Sequence, residues 1–453
     1  MKNSYKLIFA AMLAAGLVAC GKEEVKPAPV AAPAAPVEPT VTVTIAHAGP
    51  LTGSIAHLGK DDENGVRLAV DQTNAQKIKI DGKVLNIKFM SEDDQADPKV
   101  GTTVAQKLVD AKVVAVVGHL NSGVTIPASE IYNKAGIPVI SGSATNPTLT
   151  ERGLKNVFRT VGRDDQQGPA LATFIANELK GKKVALIDDK TAYGEGLANE
   201  VEKTLKAGKV SPIARERTTD KETDFKAILT KIKGKNPDVI FYGGMDATGG
   251  PLLKQARELG IKAIFVFGDG ACTSEMSKLA GAAAEGFVCS QAGLPSEAAS
   301  KDFLTAFNAK YGEVKQYAPY FYDGAMAMIE AMKKANSTDP AKFGPEIFNV
   351  SFTGATGKVE FDAKGDRKDA EITIFKMTGG KIAPVSIVKN GVATAFVAAP
   401  APAAAPAAAP AAPAAAPAAP AAAAAAPAAP AAAPAPAAAP AAAPAKPAEA
   451  PKK

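Results

Sequence analysis

Two short polar loops carry the first residues suited to chemistry. Gly118, His119, Leu120, Asn121, Ser122 and Gly123 follow an apolar run and open a helical pattern. Small and hydroxylated residues at such a point expose backbone N–H groups along the helix dipole, which suits a carboxylate or a phosphate. Ser141, Gly142, Ser143, Ala144 and Thr145 repeat the arrangement after the next apolar run. Either loop alone reads first as an ordinary helix cap. Two of them at adjacent strand ends point to an anion. Tyr193 and Asp269 follow two later apolar runs, and Asp269 stands between Gly268 and Gly270. An acid in that setting faces a ligand cation or serves as a turn residue. The chemistry on offer is non-covalent capture of a small dipolar solute.

Covalent chemistry has little support. The three histidines, His47, His57 and His119, lack metal-ligand spacing, and Cys272 and Cys289 have no nearby histidine. There is no Gly-x-Ser-x-Gly, no phosphate-binding P-loop and no glycine-rich dinucleotide turn after the first strand. Gly194, Glu195 and Gly196 form a lone Gly-x-Gly that reads as a helix start. No catalytic residue, metal site or cofactor is expected.

The elements that must position these residues alternate between strand and helix. Strands are expected near 41–45, 85–90, 113–117 and 137–140, with helices near 61–74, 98–110 and 126–135 between or after them. The pattern restarts near Arg163. It gives strands near 184–187, 213–218, 239–242 and 264–267, and helices near 167–179, 196–207, 223–233, 250–259 and 275–279. Two long helices follow, near 298–311 and 318–335, and then short strands near 357–361, 372–377 and 384–389. Repeated βα units imply an α/β fold of parallel sheets with helices on both faces. Two doubly wound lobes in series place a ligand cleft between their strand C-terminal ends.

The remainder of the chain cannot build a core. From about residue 398 onward the 453-residue sequence is almost entirely Ala and Pro, and a shorter tract of the same kind runs from 26 to 40. Proline at that density favours an extended chain, so 398–453 reads as a disordered tail. About 355 residues are left to fold, which suits two domains. Of the formal charge of +6, only +3 belongs to that part, with no clustered basic face, so nucleic acid is not an expected partner. Lys2 and Lys6 precede an apolar stretch over 7–18, which reads as a secretory leader. Leu17, Val18, Ala19 and Cys20 resemble a bacterial lipobox. That resemblance implies a signal peptide over 1–19, a diacylglyceryl group on Cys20 and a linker over 20–40. In an oxidising compartment Cys272 and Cys289 are expected to pair.

At these residues the sequence resembles the periplasmic leucine/isoleucine/valine-binding proteins of branched-chain amino-acid ABC transporters. The likeness spans about 41–388. It is carried by Gly118-His119-Leu120, Pro127-Ala128-Ser129, Ala144-Thr145 with Pro147, Leu149-Thr150, Asp164 with Gln167-Gly168-Pro169, Asp189-Lys190 with Tyr193-Gly194-Glu195-Gly196, and Tyr242-Gly243-Gly244. The resemblance implies type I periplasmic-binding-protein lobes joined by a three-strand hinge. Lobe 1 would comprise 41–163 with 292–370, and lobe 2 would comprise 164–291 with 371–397. The connecting segments would lie near Gly162, Ala292 and Asp369.

The same resemblance implies site roles. Ser122 would donate to a ligand carboxylate, and Ser143 would offer a backbone carbonyl to the ammonium, with Ala144 beside it. Thr145 would serve both ends, Tyr193 would close over the ligand, and Asp269 would pair with the ammonium where the best-known members have Glu. A second tyrosine is replaced by Met245 and a side-chain aromatic by Leu58. The late aromatic corresponds to Tyr317. The first-lobe disulfide positions of some members are Ala96 and Asn121, so that bridge is absent. The implied function is capture of a free amino acid, branched-chain or otherwise aliphatic, for an inner-membrane permease, by a lipid-anchored monomer of the periplasm or cell envelope. A sensory or amide-binding protein of the same fold is the alternative. A Rossmann-type enzyme would need the missing glycine fingerprint.

Overall fold

A computed structural model describes residues 38–396. The leader, Cys20 with most of the linker, and the Ala/Pro-rich tail lie outside the described residues. The chain begins with β1 (Thr40–Gly49), α1 (Ala56–Gln76), β2 (Lys79–Ile80), β3 (Lys83–Asp93), α2 (Pro98–Asp110), β4 (Ala115–Gly118), α3 (Ser122–Lys134), β5 (Val139–Ser141), α4 (Thr148–Glu151) and β6 (Val157–Arg159). Their strands form one sheet in the order β2-β3-β1-β4-β5-β6, parallel except for the β2–β3 pair. β4 is buried along its whole length, as an apolar strand covered on both faces must be. Asp97 starts α2 in the ordinary way, its side chain accepting from the Lys99 and Val100 amides with Pro98 in the first turn.

A second series follows: α5 (Asp164–Asn177), β7 (Val184–Asp188), α6 (Ala192–Ala207), β8 (Ala214–Arg217), α7 (Lys226–Lys233), β9 (Val239–Gly243), α8 (Asp246–Glu258), β10 (Ile264–Phe267), α9 (Glu275–Ala280) and β11 (Val288–Gln291). Next come α10 (Lys301–Tyr311), α11 (Ala318–Ala335) and α12 (Pro340–Phe343). The described chain ends with β12 (Phe352–Gly354), β13 (Gly357–Val359), β14 (Glu371–Thr378), β15 (Lys381–Lys389) and β16 (Val392–Ala395). The second sheet runs β16-β15-β14-β11-β10-β9-β7-β8, parallel from β8 to β11 and antiparallel beyond.

Each sheet is doubly wound. In the first, the chain moves from β1 to β3 on one side and to β4 on the other. In the second, it moves from β7 to β8 and then to β9. Ligand crevices form outside the strand C-terminal ends where the winding reverses. α11 returns to pack on α1, β4 and β5, so late sequence completes the first lobe. The connecting segments lie together, since the Gly162 amide donates to the Ala292 carbonyl at 2.8 Å and the Thr373 hydroxyl to the Gly293 carbonyl at 2.7 Å.

The structure adds detail to the expected elements and moves some boundaries. β6 and β11 are short strands with no turn-bounded apolar run long enough to mark them. The strand expected at 357–361 shortens to β13 and pairs with β12 in a separate two-stranded sheet, where Gly357 closes a tight turn at positive φ, while Phe361 makes an isolated antiparallel bridge with Arg367. Cys272 and Cys289 form a disulfide across 17 residues, tying the turn after β10 to β11. Among the described residues no helix is long and apolar enough to cross a membrane.

Candidate ligand-binding site

The loops singled out in the sequence meet the second lobe at one cavity. Leu120, Asn121, Ser122 and Ser143 line it from the first lobe, with Tyr317, while Tyr193, Met245, Asp269 and Gly270 line it from the second. As it stands the cavity holds about 10 Å³, close to the room one water needs. Of the residues expected at the site, Ser122, Ser143, Tyr193, Met245, Asp269 and Tyr317 converge here. Leu58, Ala144 and Thr145 do not line it: Leu58 and Ala144 are buried in apolar clusters, and Thr145 is buried beneath the loop. A larger hollow of about 780 Å³, mainly apolar, lies between α5 and the β15–β16 hairpin. Nearly all of its lining belongs to the second lobe, away from the β7–β9 reversal.

Hydrogen bonds stitch the two first-lobe loops together. The Ser141 hydroxyl donates to the His119 carbonyl at 2.7 Å and accepts from the Ala144 amide at 2.9 Å. The Ser143 hydroxyl donates to the Leu120 carbonyl at 2.9 Å. The Asn146 amide donates to the Ser122 oxygen at 3.2 Å. That bond occupies one lone pair of the hydroxyl and leaves its proton free to donate to an anion. Ser122 also opens α3, where the helix dipole favours negative charge.

Asp269 is the charged centre of the opposite wall. It follows β10 in a single 3₁₀ turn and is 2 % exposed. Its Oδ1 accepts from the Tyr193 hydroxyl at 2.8 Å and from Gln167 Nε2 at 2.9 Å, and its Oδ2 accepts from the Tyr317 hydroxyl at 2.7 Å. Gln316 Nε2 donates to its backbone carbonyl at 2.7 Å. Burial pushes the Asp269 carboxyl upward, and the hydrogen bonds from Tyr317, Tyr193 and Gln167 pull it back. Asp164, fully buried nearby, is pushed well up by burial and then by the charge of Asp269. A like charge beside a buried carboxyl disfavours its ionised form, which adds to the effect of burial at Asp164. The flanking glycines are needed for contact: a Cβ on Gly268 would sit 2.5 Å from the Tyr193 hydroxyl, and one on Gly270 2.7 Å from Met245 Sδ.

Relatives place this architecture. The periplasmic binding protein family matches residues 42–381. The chain belongs to that family. An amino acid binding protein of Pseudomonas aeruginosa is 38 % identical over 338 residues, 74 % of this chain and 90 % of the relative. A leucine-, isoleucine-, valine-, threonine- and alanine-binding protein of the same organism is 34 % identical over 337 residues, 74 % of this chain and 90 % of the relative. Among solved structures, a branched-chain amino-acid transporter substrate-binding protein from Streptococcus pneumoniae, in complex with isoleucine, is 31 % identical with a TM-score of 0.69. The match covers 77 % of this chain and all of that one. The family is periplasmic, and these relatives are binding proteins.

Within this periplasmic binding fold, several supporting residues escaped the sequence reading. Arg159, fully buried, donates to the Ala144 carbonyl at 2.6 Å, the Asn146 carbonyl at 3.0 Å and Asp366 at 2.6 Å, and so fixes the 141–146 loop. Asp61 accepts from the Lys315, Gln316 and Ala318 amides at 2.8 to 3.0 Å, which holds Tyr317 in place at the start of α11. An Arg ending a short strand and an Asp inside an amphipathic helix give no local signal, because Asp366 and the 315–318 amides lie far along the chain.

Proposed function

We propose that this chain is the substrate-binding component of an ABC transporter and that it captures a free amino acid with a branched or other aliphatic side chain. One observation carries the reading: Ser122 at the N-terminus of α3 on one lobe and Asp269 on the other line a single cavity. The first suits a carboxylate and the second an ammonium, and an α-amino acid bears both. The amino-acid binding named for the relatives supports it.

In this mechanism the ligand carboxylate meets the Ser122 hydroxyl and the α3 amides, with the Ser143–Thr145 loop beside them. The second lobe then closes, Tyr193 covering the ligand and Asp269 meeting the ammonium. A ligand drives closure only by binding the closed form better, and a partner on each lobe supplies that difference. The lobe boundaries follow from the connecting segments near Gly162, Ala292 and Asp369, which turn as a hinge. The anchor is a lipid on Cys20, and the loaded monomer docks on an inner-membrane permease.

Mass spectrometry of small molecules released from the denatured protein, followed by calorimetric titration of the identified compound, tests the reading. An aliphatic amino acid bound at micromolar Kd or tighter is the expected result. A purified, folded protein that binds no amino acid rejects it.

A further inference from the structure

Gln167 and Ser290 are fully buried polar side chains that stand behind the ligand cavity without lining it. The Ser290 hydroxyl donates to Gln167 Oε1 at 2.6 Å, and Gln167 Nε2 donates to Asp269 Oδ1 at 2.9 Å. Among the described residues neither side chain has another hydrogen-bond partner. A carboxylate only accepts, so the Gln167 amide turns its nitrogen toward Asp269. Its oxygen then faces Ser290, whose one hydroxyl proton locks that orientation. Apolar side chains would fill the same space without the desolvation that each polar group here undergoes. What the polar pair supplies is a donor fixed on the acid. Both ends of the relay are anchored in turn. α5, which carries Gln167, packs on α6, β11 and β14. Ser290 follows Cys289 on β11, and the disulfide joins Cys289 to Cys272, whose amide donates to the Asp269 carbonyl at 2.9 Å. Tyr317, by contrast, reaches Asp269 from the start of α11, which packs on β4 and β5 of the first sheet. When the lobes part, Tyr317 leaves with α11, and the side-chain donors that stay with Asp269 are Gln167 and Tyr193.

We infer that Gln167, oriented by Ser290, is a positioning residue that holds the Asp269 carboxylate in its ammonium-binding direction before the lobes close. This rests on the amino-acid reading of the site. An acceptor set in advance needs no reordering as the ligand arrives. A donor also favours the charged form of the acid it faces. The other groups facing Asp269 are Tyr193 from α6, Gln316 and Tyr317 from the segment leading into α11, and the acid Asp164 from α5. Without Gln167 only the two tyrosines donate to the carboxylate. The neutral acid, which binds an ammonium poorly, then persists to higher pH.

The test is calorimetric titration of the full-length wild type, Gln167→Met and Ser290→Ala with alanine, valine, leucine and isoleucine. The amino acid that the wild type binds most tightly is then followed from about pH 8 to about pH 5. Gln167→Met is expected to bind it about tenfold more weakly at the upper pH. The ratio of its Kd to that of the wild type is expected to widen by a further threefold or so toward the lower pH. Ser290→Ala, which only frees the amide to turn, should show the same trend at smaller amplitude, and it carries the test if Gln167→Met does not fold. His57 titrates alike in all three proteins and cancels in the ratio. A role in packing alone weakens binding by the same factor at every pH. A ratio that stays constant, or wild-type affinity in the folded variants, therefore overturns the inference while leaving amino-acid binding intact. A wild type that binds none of the four amino acids removes the functional reading and the inference with it.

Discussion

Asp269 shows how much a single carboxylate can organise when it is sealed from water. Two tyrosine hydroxyls and a glutamine amide already donate to it, and one tyrosine comes from each lobe. This network survives in the closed molecule only while the acid is present to accept. Asp269→Ala should weaken amino-acid binding by about 3 kcal/mol or more, because the ligand ammonium would be buried unpaired. Calorimetry giving the wild-type affinity for that variant would reject the assignment. The sequence marked this acid through its glycine neighbours and its place after an apolar strand. Gln167 lay within a recognised motif, but its bond to Asp269 had no sequence mark, since the two stand 102 positions apart.

At the level of elements, the strands were the legible part. β4, β9 and β10 are apolar runs, and β7 is one as far as Asp188, because parallel strands are covered on both faces. Helix starts were less so. Helices expected from 126, 196 and 250 begin at Ser122, Ala192 and Asp246. Their opening turns hold Gly, Ser, Thr and Ala, which lack apolar periodicity because they face the cleft, and Pro127 and Pro251 inside α3 and α8 resemble helix boundaries. The functional turns are therefore ones that apolar periodicity misses, although their loop chemistry marks them.

The loop after β5 depends on Arg159, which none of these patterns reveals. Arg159→Met should destabilise the fold by about 3–5 kcal/mol, leaving buried Asp366 and two carbonyls short of a donor, as urea unfolding would measure. The turn bearing Asp269 is held in another way. Replacing both Cys272 and Cys289 with Ser should lower stability by about 3 kcal/mol through the loop they close. Equal unfolding midpoints for that variant and the wild type would refute the disulfide's contribution.

For the molecule as a whole, closure is supported by contacts away from the zwitterion. The Asn146 side-chain Nδ2 donates to the Ala192 carbonyl at 2.6 Å, and His57 meets Asp246 at 2.8 Å, each pair joining one lobe to the other. Burial lowers the His57 imidazole, but the Asp246 hydrogen bond and charge, with Glu275 and Asp61 also nearby, outweigh it and hold it above its ordinary range. A raised value means that protonation favours the closed form. The contribution is complete below the ordinary value of about 6.5 and is lost as pH rises through the closed-state value. Ligand affinity should therefore fall modestly as pH rises from below to above the ordinary imidazole value of about 6.5, the effect being limited because the histidine is partly exposed. His57→Gln should flatten that profile, and a wild type with pH-independent affinity over the range would contradict the pairing. The cavity has room for about one water, so an amino acid enters only after the lobes part.

Neither lobe is contiguous in the chain. The first sheet is finished by β6, yet its cover, α11, arrives more than 150 residues later, and the second sheet waits for β14 to β16. Contacts of such long sequence separation form slowly, and a partial chain has no complete core to collapse around. A periplasmic protein must cross the inner membrane, and one that crosses as an extended thread benefits from staying loose until nearly all of it has emerged. The late return of α11 and β14 thus leaves both lobes without a complete core until most of the chain is available to fold.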